Sequence, residues 1–430
     1  MTTHGIGAGA RAALETLLRD RDVAEVLDAL DGHGEETRIV GGAVRNALMG
    51  LPVTEVDLAS TAVPNEVTRR AELAGFKAVP TGIEHGTVTL VLRGRPFEVT
   101  TLREDIETDG RRAVVRFGRS FAADALRRDF TMNALSLDRS GTVHDTVGGL
   151  ADVAARRLRF IGDARLRIKE DYLRILRFFR FHASYATGPL DAEGFEAAIG
   201  LREGLRLLSA ERVRNELLKL IKAPGAAATA QEMLAGGFWP LILGGVPHVS
   251  RFKAALETQA SSPDMAGAVA RLAALAVLTS EDAARLRQRL RLSNAQAALL
   301  GAIGSIIERL HGPLSRKTDA EAKREIARLV LDHGAESVRI ALAIELAGSG
   351  NASVAELSRF ASAIPPFPFS GADLLKRGMA AGPEVGRLLA QAREDWINEG
   401  CPLEKPALAS ILDRAMETGG RPPRPSLGPK

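Results

Sequence analysis

The chain has 430 residues, of which 45% are apolar and 26% charged, so it can bury a sizeable core without a disulfide or metal staple. Its single cysteine, Cys401, excludes an internal disulfide framework and a cysteine-based zinc site. No apolar run reaches the roughly 18 residues of a membrane span, and the first residues lack the apolar core of a secretion signal, so we expect a cytoplasmic protein without membrane contact.

Positive charge is concentrated in one segment. The 57 Lys and Arg residues exceed the 53 Asp and Glu residues by only four. The segment from Arg156 to Arg180, however, contains nine basic residues and only three acidic ones. This concentration on a nearly neutral chain indicates contact with phosphate groups. A solvated helix face would show the same charge pattern.

The first third of the chain alternates helical segments with short β-branched runs. Apolar residues with helical spacing extend from Arg11 to Leu30. Residues 38–145 then predict a mixed α/β domain with a small sheet. Its predicted strands are 38–40, 53–58, 87–92, 97–102, 135–137 and 142–143, and its predicted helices are 43–49, 64–74 and 121–134.

The rest of the chain predicts helices. Runs rich in Ala, Leu and Arg continue from about Ala151 to Met416, with breaks near 223–226, 261–263 and 364–368. Three glycines and four prolines in the last 13 residues, Thr418 to Lys430, predict a disordered tail.

A glycine pair joins the first predicted strand to a helix. Gly41 and Gly42 follow the strand, and Arg45 lies in the first turn of the helix. Glycine lets the backbone approach a ligand closely, and helix-start N–H groups beside an arginine suit a phosphate. A plain tight turn would have the same sequence, so this motif alone is weak evidence.

Three acidic residues lie on two predicted strands. Glu55 and Asp57 alternate along one strand, so we expect their side chains on the same face. Carboxylates this close repel each other unless a cation lies between them, and Mg²⁺ usually takes one or two carboxylates together with substrate phosphates. Glu98 on a neighbouring strand would complete a two-metal site of the polymerase kind. The alternative is a set of solvent-facing acids.

One predicted helical stretch combines arginines with an amide. Arg127, Arg128 and Asn133 fall close together between residues 124 and 134. Such a set can contact a triphosphate and a ribose. A local salt bridge between an arginine and Asp129 would account for the same residues.

A second stretch combines an acid with evenly spaced arginines. Asp171, Arg174 and Arg177 recur every three residues, so we expect them on one helix face with Arg180 at its edge. An acid and an arginine together offer an acceptor and donors to the edge of a base, and the other arginines suit phosphates.

The order and spacing of these motifs across residues 38–217 resemble the class II tRNA nucleotidyltransferase and bacterial poly(A) polymerase family. The individual motifs are weak, but the set is specific. The matching residues are Gly41–Arg45, the pair Glu55 and Asp57, Glu98 in a Glu-Val-Thr-Thr-x-Arg strand, Asp109–Arg112, Arg127–Ala134, Glu170 to Arg174, and Ser209–Leu217.

The resemblance implies an α+β fold in which a nucleotidyltransferase head with a small mixed β-sheet precedes an all-helical neck, body and tail. It divides the chain into an N-terminal helical extension (1–37), the catalytic head (38–150), a neck that recognises the base (151–222), a body and tail that bind tRNA (223–417) and a disordered tail (418–430).

The resemblance also implies an activity, which is template-independent addition of C, C and A to the 3′ end of tRNA from CTP and ATP, with pyrophosphate release. Glu55 and Asp57 would bind two Mg²⁺ ions, and Glu98 would assist catalysis. No obligate protein partner is expected. The implied nucleotide-binding residues are Gly41, Gly42, Arg45, Arg127, Arg128, Asn133, Asp171, Arg174, Arg177 and Arg180, with Asp171 and Arg174 as the template for the base.

The resemblance further implies that a loop switches the enzyme from adding C to adding A. It contains Asp109, Gly110, Arg111 and Arg112, and the whole segment from Arg103 to Arg116 has few apolar anchors, which predicts mobility. In the family such a loop reorients the template residues for ATP.

The chain departs from the family pattern at three positions. Glu55 stands where Asp is usual, which changes the reach of a metal ligand. Asn46 replaces an Asp after the turn arginine, which removes one possible salt bridge to Arg45. Ala113 replaces a common proline in the loop. The pair His144-Asp145 resembles a phosphohydrolase motif but lacks a further His cluster, so we interpret it as structural.

Alternatives remain within the family and outside it. Thr81–Thr87, the pattern between Gly371 and Gly386, and the lack of a long basic tail favour CCA addition over poly(A) synthesis. An enzyme that adds only CC or only A is also possible, although the loop at Asp109–Arg112 argues against a CC-only enzyme. A non-catalytic tRNA-binding protein belongs to another class, and the presence of Glu55, Asp57 and Glu98 argues against it.

Overall fold

In a computed structural model of the chain, the described residues are 6–82, 86–109, 112–257, 263–310, 318–347 and 353–419. The chain forms two compact units, the first ending at Ile242 and the second beginning at Leu243. None of the described helices is both long and apolar enough to cross a bilayer.

The strands of the described residues all belong to the first unit, as the sequence predicts for an N-terminal head. They are β1 (Thr37–Val40), β2 (Asp57–Ser60), β3 (Lys77–Gly82), β4 (Thr87–Leu92), β5 (Arg95–Thr101), β6 (Arg103–Asp109), β7 (Arg112–Phe117), β8 (Ser136–Leu137) and β9 (Val143–His144).

Helices flank the sheet and continue to the end of the unit. They are α1 (Ala8–Arg19), α2 (Arg21–Leu30), α3 (Gly42–Leu48), α4 (Pro64–Leu73), α5 (Phe121–Leu126), α6 (Gly149–Ala154), α7 (Ala164–Glu170), α8 (Leu173–Tyr185), α9 (Ala192–Leu201), α10 (Ala210–Leu220), α11 (Ala226–Ala235) and α12 (Trp239–Leu243).

In the described residues, seven of the strands form one mixed sheet in the order β3-β4-β5-β2-β1-β8-β9. Strands β2 and β5 are parallel, whereas the other neighbouring pairs are antiparallel. Asp57 lies directly opposite Glu98 in the parallel register, so their side chains leave the same face of the sheet. The α+β fold is therefore confirmed, and β3 is a strand that the sequence pattern did not predict.

The predicted strand at 53–58 is wrong in its first half. Strand β1 ends at Val40, which pairs with Asp57, because the chain turns away at Gly41. Residues before Asp57 therefore have no β1 partner, and the Pro52 carbonyl instead accepts a hydrogen bond of 2.9 Å from Asn46 Nδ2. Glu55 precedes the strand rather than lying in it.

The predicted helix at 121–134 is also interrupted. Helix α5 ends at Leu126, and only a short 3-10 turn, Thr131–Asn133, follows. Between the end of α5 and this turn, the backbone pairs with a segment about 30 residues later in the chain. The Ile161 N–H donates to the Asp129 carbonyl at 3.1 Å. Phe130 thereby enters the core, where its ring lies 4.9 Å from that of Phe160. This tertiary pairing overrides the local helical pattern.

Two further breaks occur in predicted helices. The N-terminal segment forms α1 and α2, because Asp20 caps the second helix by accepting from the N–H groups of Asp22 and Val23. Asp171 is extended (φ −156°) between α7 and α8, so it precedes the helix that carries Arg174.

The segment predicted as a loop forms an antiparallel hairpin of β6 and β7. Asp109 pairs with Arg112 at its end, whereas Gly110 and Arg111 lie outside the described residues. An acid-rich strand followed by Asp-Gly is a hairpin pattern. Its predicted mobility and its role in the switch stay predictions.

Helix α8 is anchored by aromatic packing. Its Phe178 and Phe181 rings lie 5.3 Å from those of Phe160 and Phe130, respectively, and all four side chains are buried. This cluster joins the end of the sheet region to α8, so it fixes the polar face of α8 relative to the Gly41 turn.

The second unit is helical in its described residues, and the element ends confirm its predicted break at 364–368. The predicted break at 223–226 is confirmed in the first unit, between α10 and α11. Trp396 is fully buried in its core, and its indole N–H donates to the Pro402 carbonyl at 2.8 Å. The tail 420–430 and the break at 261–262 lie outside the described residues. The helices are α13 (Val249–Glu257), α14 (Ala268–Ala276), α15 (Ser280–Leu290), α16 (Asn294–Leu310), α17 (Asp319–His333), α18 (Ala335–Glu345), α19 (Ser353–Ala363), α20 (Gly371–Lys376), α21 (Pro383–Asn398) and α22 (Lys405–Gly419).

Candidate active site

The Gly41 turn has a stereochemical requirement for glycine. Gly41 has φ +66° and ψ −118°, a conformation that side chains other than glycine rarely adopt. A Cβ atom there would also lie only 3.0 Å from Arg128 Nη1. The turn therefore admits Arg128 to the start of α3, which places this guanidinium beside the carboxylates of the sheet.

Two adjoining cavities meet at Asp57 and Arg128. The first, of about 470 Å³, is lined by Glu98, Arg103, Asp124 and Arg127 as well. The second, of about 630 Å³, holds nine of the ten residues predicted to bind the nucleotide, Arg127 being the exception. Its polar lining comprises Gly41, Gly42, Arg45, Glu55, Asp57, Arg128, Asp129, Asn133, Asp171, Arg174, Arg177, Arg180, Tyr185 and Arg212.

The three predicted catalytic carboxylates interact electrostatically. Partial removal of solvent raises the pKa of Asp57, and the charges of Glu98 and Glu55 raise it further, while Arg128 opposes them. Much of the Asp57 side chain still faces the open cavity. Although Glu55 lies outside the strand, it lines the same cavity as Asp57, so the expected pairing of the two acids survives the wrong strand assignment.

Arg45 is almost completely buried, with 4% of its surface exposed. It donates to Asn133 Oδ1 at 2.5 Å and to Asn46 Oδ1 at 2.8 Å, and its guanidinium carbon lies 3.7 Å from the centre of the Tyr185 ring. Burial lowers the pKa of Arg45 to about 10, so it stays charged at neutral pH. Asn46 thus still holds Arg45, by an amide hydrogen bond in place of a salt bridge.

Arg127 and Arg128 share one buried acceptor. Asp124, which is 4% exposed, forms ion pairs with both arginines. Arg128 also donates to the Asn133 carbonyl at 3.2 Å. These contacts hold Arg128 at the junction of the cavities and Arg127 in the first cavity without a continuous helix.

The proposed template residues are held by ion pairs. Asp171 accepts from the Leu173 N–H at 3.1 Å and from Arg212 Nη2 at 2.7 Å. Arg174 donates to the Arg167 carbonyl at 2.9 Å and forms an ion pair with Glu170. Both side chains lie where α8 begins, so their separation by one turn is preserved although Asp171 is not helical.

His144 and Asp145 serve the fold, as predicted. His144 Nε2 lies 2.7 Å from Asp138 Oδ2, and Asp145 accepts hydrogen bonds from the N–H groups of Gly149 and Leu150, both at 2.9 Å.

Comparisons with known proteins identify the family. A model of the poly(A) polymerase head domain matches residues 37–159. The mitochondrial CCA tRNA nucleotidyltransferase 1 of Mus musculus is 34% identical over 398 residues, covering 90% of this chain and 88% of that protein. The chain belongs to the CCA-adding tRNA nucleotidyltransferase family. The CCA-adding enzyme of Levilactobacillus brevis is 31% identical over 93% of this chain and 99% of its own length.

A solved structure supports the same assignment for the fold. The Bacillus stearothermophilus CCA-adding enzyme, in complex with CTP, aligns with a TM-score of 0.71 at 28% identity, covering 91% of this chain and 96% of that one. The resemblance recognised in the sequence is thereby confirmed, as is the enzyme class of nucleotidyltransferase.

The carboxylate set of this CCA-adding family member fits magnesium. Among the described residues, no three His, Cys, Asp or Glu side chains form a complete metal cage. Magnesium needs no such cage, since it usually combines one or two carboxylates with substrate phosphates and water. Glu55 and Asp57 would supply oxygen ligands. The pKa of Asp57 is raised by partial burial and then by repulsion from Glu98 and Glu55, and a cation would relieve this repulsion.

Five residues that line the second cavity were not predicted from the sequence as site residues: Asp129, Leu173, Phe181, Tyr185 and Arg212. Two of them had a signal, because Arg177, Phe181 and Tyr185 are spaced by four residues along α8 and therefore share a face. Arg212 lies in the Ser209–Leu217 motif, but its separation of 41 residues from Asp171 gave no local indication that the two side chains pair.

Replacing Tyr185 should weaken nucleotide binding in this family member. In Tyr185→Leu the ring stacked on Arg45 is lost. We expect the KM for CTP and ATP to rise about threefold to thirtyfold, since a cation–π contact contributes from roughly 0.5 kcal/mol at exposed sites to about 2 kcal/mol when desolvated. Tyr185→Phe keeps the ring and should stay within about twofold of wild type. Steady-state kinetics with each nucleotide measure both variants, and equal losses in the two would exclude the stacking role.

Proposed function

We propose that this chain adds C, C and A in turn to the 3′ end of tRNA, using CTP and ATP and releasing pyrophosphate. One observation carries the proposal: in a member of the CCA-adding family, one cavity joins the carboxylates, an arginine cluster and the Asp171–Arg174 pair. This cavity brings together the residues that would catalyse the reaction, bind the phosphates and select the base.

The carboxylates define the reacting end of the cavity. Glu55 and Asp57 would hold Mg²⁺, which when bound stabilises the charge on the α-phosphate and on the departing pyrophosphate. Glu98 lies opposite Asp57 in the adjoining cavity, where it would orient the terminal hydroxyl of the tRNA. Arg45, Arg128 and Asn133 would contact phosphate or ribose, with Arg127 on the primer side.

Base selection follows from the donors and acceptors at the start of α8. Cytosine and adenine both present an amino group as donor, whereas uracil and guanine present a carbonyl oxygen at the equivalent edge. Asp171 accepts and Arg174 donates, so the pair suits C and A and opposes U and G. Arg177 and Arg180 would assist from the next turns.

We further propose that the hairpin at Arg103–Phe117, which includes Asp109 and Arg112, controls the passage from C to A. The bounds of head, neck and tRNA-binding body are likewise proposals, with the helical body and tail (223–417) contacting the RNA backbone. Double-stranded RNA is recognised mainly by shape and backbone contacts. Cytoplasmic location stays a prediction from the sequence.

Product length tests the proposed function directly. With tRNA lacking its 3′ CCA, Mg²⁺ and CTP alone, we expect addition of two nucleotides, and with CTP and ATP together, three, each accompanied by one pyrophosphate. Products that stop at two with both nucleotides, or that start only on tRNA ending in CC, would assign a partial enzyme. A ladder of A residues would indicate a poly(A) polymerase, and absence of pyrophosphate would indicate a non-catalytic tRNA-binding protein.

A further inference from the structure

Three arginines lie close together on one wall of the second cavity, which is the nucleotide cavity of the proposed function. Arg45, Arg177 and Arg180 all line it, and the ring of Phe181 lies 4.1 Å from the Arg180 guanidinium carbon and 5.2 Å from that of Arg177. Like charges at this spacing repel: burial is the main reason that the pKa of Arg45 is lowered, and the charges of Arg180 and Arg177 lower it further. The cluster therefore needs nearby anions even when no nucleotide is bound.

A buried carboxylate behind the wall provides one of these anions. Glu216, on α10, is only 7% exposed and is not part of the cavity lining. Its Oε2 accepts from Arg180 Nε at 2.5 Å, and its Oε1 lies 4.0 Å from Arg177 Nη1. The next residue, Leu217, is fully buried, so the helix has little freedom to move this carboxylate.

The contacts divide the arginines between two acids. Arg177 donates to Asp129 Oδ2 at 2.5 Å and 2.7 Å, and Asp129 lines the cavity. Arg180 instead pairs with Glu216, which does not line the cavity. An arginine has five N–H donors in a rigid fork, so a bond through Nε fixes the direction of the whole guanidinium group.

We propose that Glu216 is a positioning residue for nucleotide binding: it holds Arg180 and steadies Arg177 in the orientation that receives the triphosphate. This inference rests on the proposed function of the cavity. A preformed cation cluster binds a polyanion without first ordering its side chains, which lowers the cost of binding. Glu216 does not touch the substrate, so its loss should weaken nucleotide binding more than it slows the chemical step.

The test is Glu216→Gln, which keeps the shape of the side chain and removes its charge. We expect the KM for CTP and for ATP to rise about tenfold, because hydrogen bonds to charged groups are stronger than those between neutral groups. The kcat should stay within about threefold of wild type, and the KM for tRNA should be unchanged. The Kd for CTP without tRNA, measured by calorimetry, should rise by the same factor. Unchanged CTP affinity with a lowered melting temperature would reduce Glu216 to a structural role.

A matched control and a double variant locate the effect. Glu203→Gln removes the charge from an exposed Glu–Arg pair, in which Arg206 Nε lies 2.7 Å from Glu203 Oε2, and it should leave CTP affinity unaltered. If Glu216 acts through Arg180, adding Glu216→Gln to Arg180→Ala should cause little further loss. Full additivity of the two losses would contradict the proposal.

Two further measurements keep the test decisive. Should Glu216→Gln prove too unstable to purify, Glu216→Asp keeps the charge but shortens its reach, and a smaller increase of the same kind in the Kd is expected. Inorganic tripolyphosphate serves as a probe that carries no base. If the wild-type chain binds tripolyphosphate but adds no C or A, the proposed function fails while the role of Glu216 can still be measured.

Discussion

Replacing Asp57 by alanine is expected to abolish nearly all nucleotide incorporation while leaving the fold intact. Asp57 opens strand β2 opposite Glu98 and lies at the junction of the two cavities. Loss of even an outer-shell partner of a metal ligand costs about 10- to 100-fold in activity or affinity. Loss of a direct ligand should therefore lower kcat/KM by more than about 100-fold.

The fold should tolerate this change because the Asp57 charge does not stabilise it. The pKa of Asp57 is raised by burial and by neighbouring acids, and a carboxylate with a raised pKa disfavours the folded state once the pH exceeds that pKa. At neutral pH, removal of the charge should leave the melting temperature unchanged or slightly higher.

Three measurements together check the Asp57 prediction. They are the rate of C addition with Mg²⁺, the binding of Mn²⁺ followed by electron paramagnetic resonance, and the thermal unfolding temperature. Glu72→Ala is a suitable control, since Glu72 is an exposed acid on α4 away from the cavity lining. Near-normal turnover of Asp57→Ala with Mg²⁺ would disprove the assignment of a metal ligand.

The elements that the sequence predicted well are those decided by local pattern. The β-branched run at Thr87–Leu92 is a strand with alternating burial, and Pro64 begins a helix at the position where its missing N–H costs nothing. The Gly41 turn was predicted for the same reason, because its positive φ needs glycine. In each case the residues that decide the conformation are neighbours in the chain.

The errors arise where a distant segment decides the conformation. Glu55 was assigned to a strand because nothing local shows that Asp57, and not an earlier residue, pairs with Val40 at the end of β1. The helix predicted through Phe130 ends early because the backbone there pairs with residues near Phe160. The hairpin at Arg103–Phe117 is different: its Asp-Gly dipeptide is a local turn signal, which the acid-rich composition obscured.

The candidate site shows the same difference between features that are decided by neighbouring residues and features that are decided by distant segments. Its residue types and their roles could be proposed from motifs, but the partners that orient them could not. Glu216 meets Arg180 from 36 positions away, and Arg212 meets Asp171 from 41. Sequence patterns identify the groups that we propose contact a substrate, whereas the charged residues that hold those groups emerge only from the packing of α10 against α8 and the residues just before it.

Arg174→Ala is expected to relax nucleotide choice more than it weakens tRNA binding. The side chain is 16% exposed and is held by the Arg167 carbonyl and by Glu170, so its donors have a fixed direction at the start of α8. A well-placed pair of hydrogen bonds to a base edge contributes about 1–3 kcal/mol of discrimination. Preference for CTP over UTP, and for ATP over GTP, should therefore fall by about 10- to 100-fold.

Competition between nucleotides separates this effect from RNA binding. Incorporation of UTP and GTP is measured against CTP and ATP on tRNA lacking its 3′ end, and the KM for tRNA is measured in parallel. Arg165→Ala is the matched control, because Arg165 belongs to the same basic segment but forms an exposed pair with Glu196 at 3.1 Å. It should keep full C and A preference. If Arg174→Ala kept this preference but lost tRNA affinity, Arg174 would belong to the residues that contact the RNA backbone. Base selection would then depend on Asp171 and its partner Arg212.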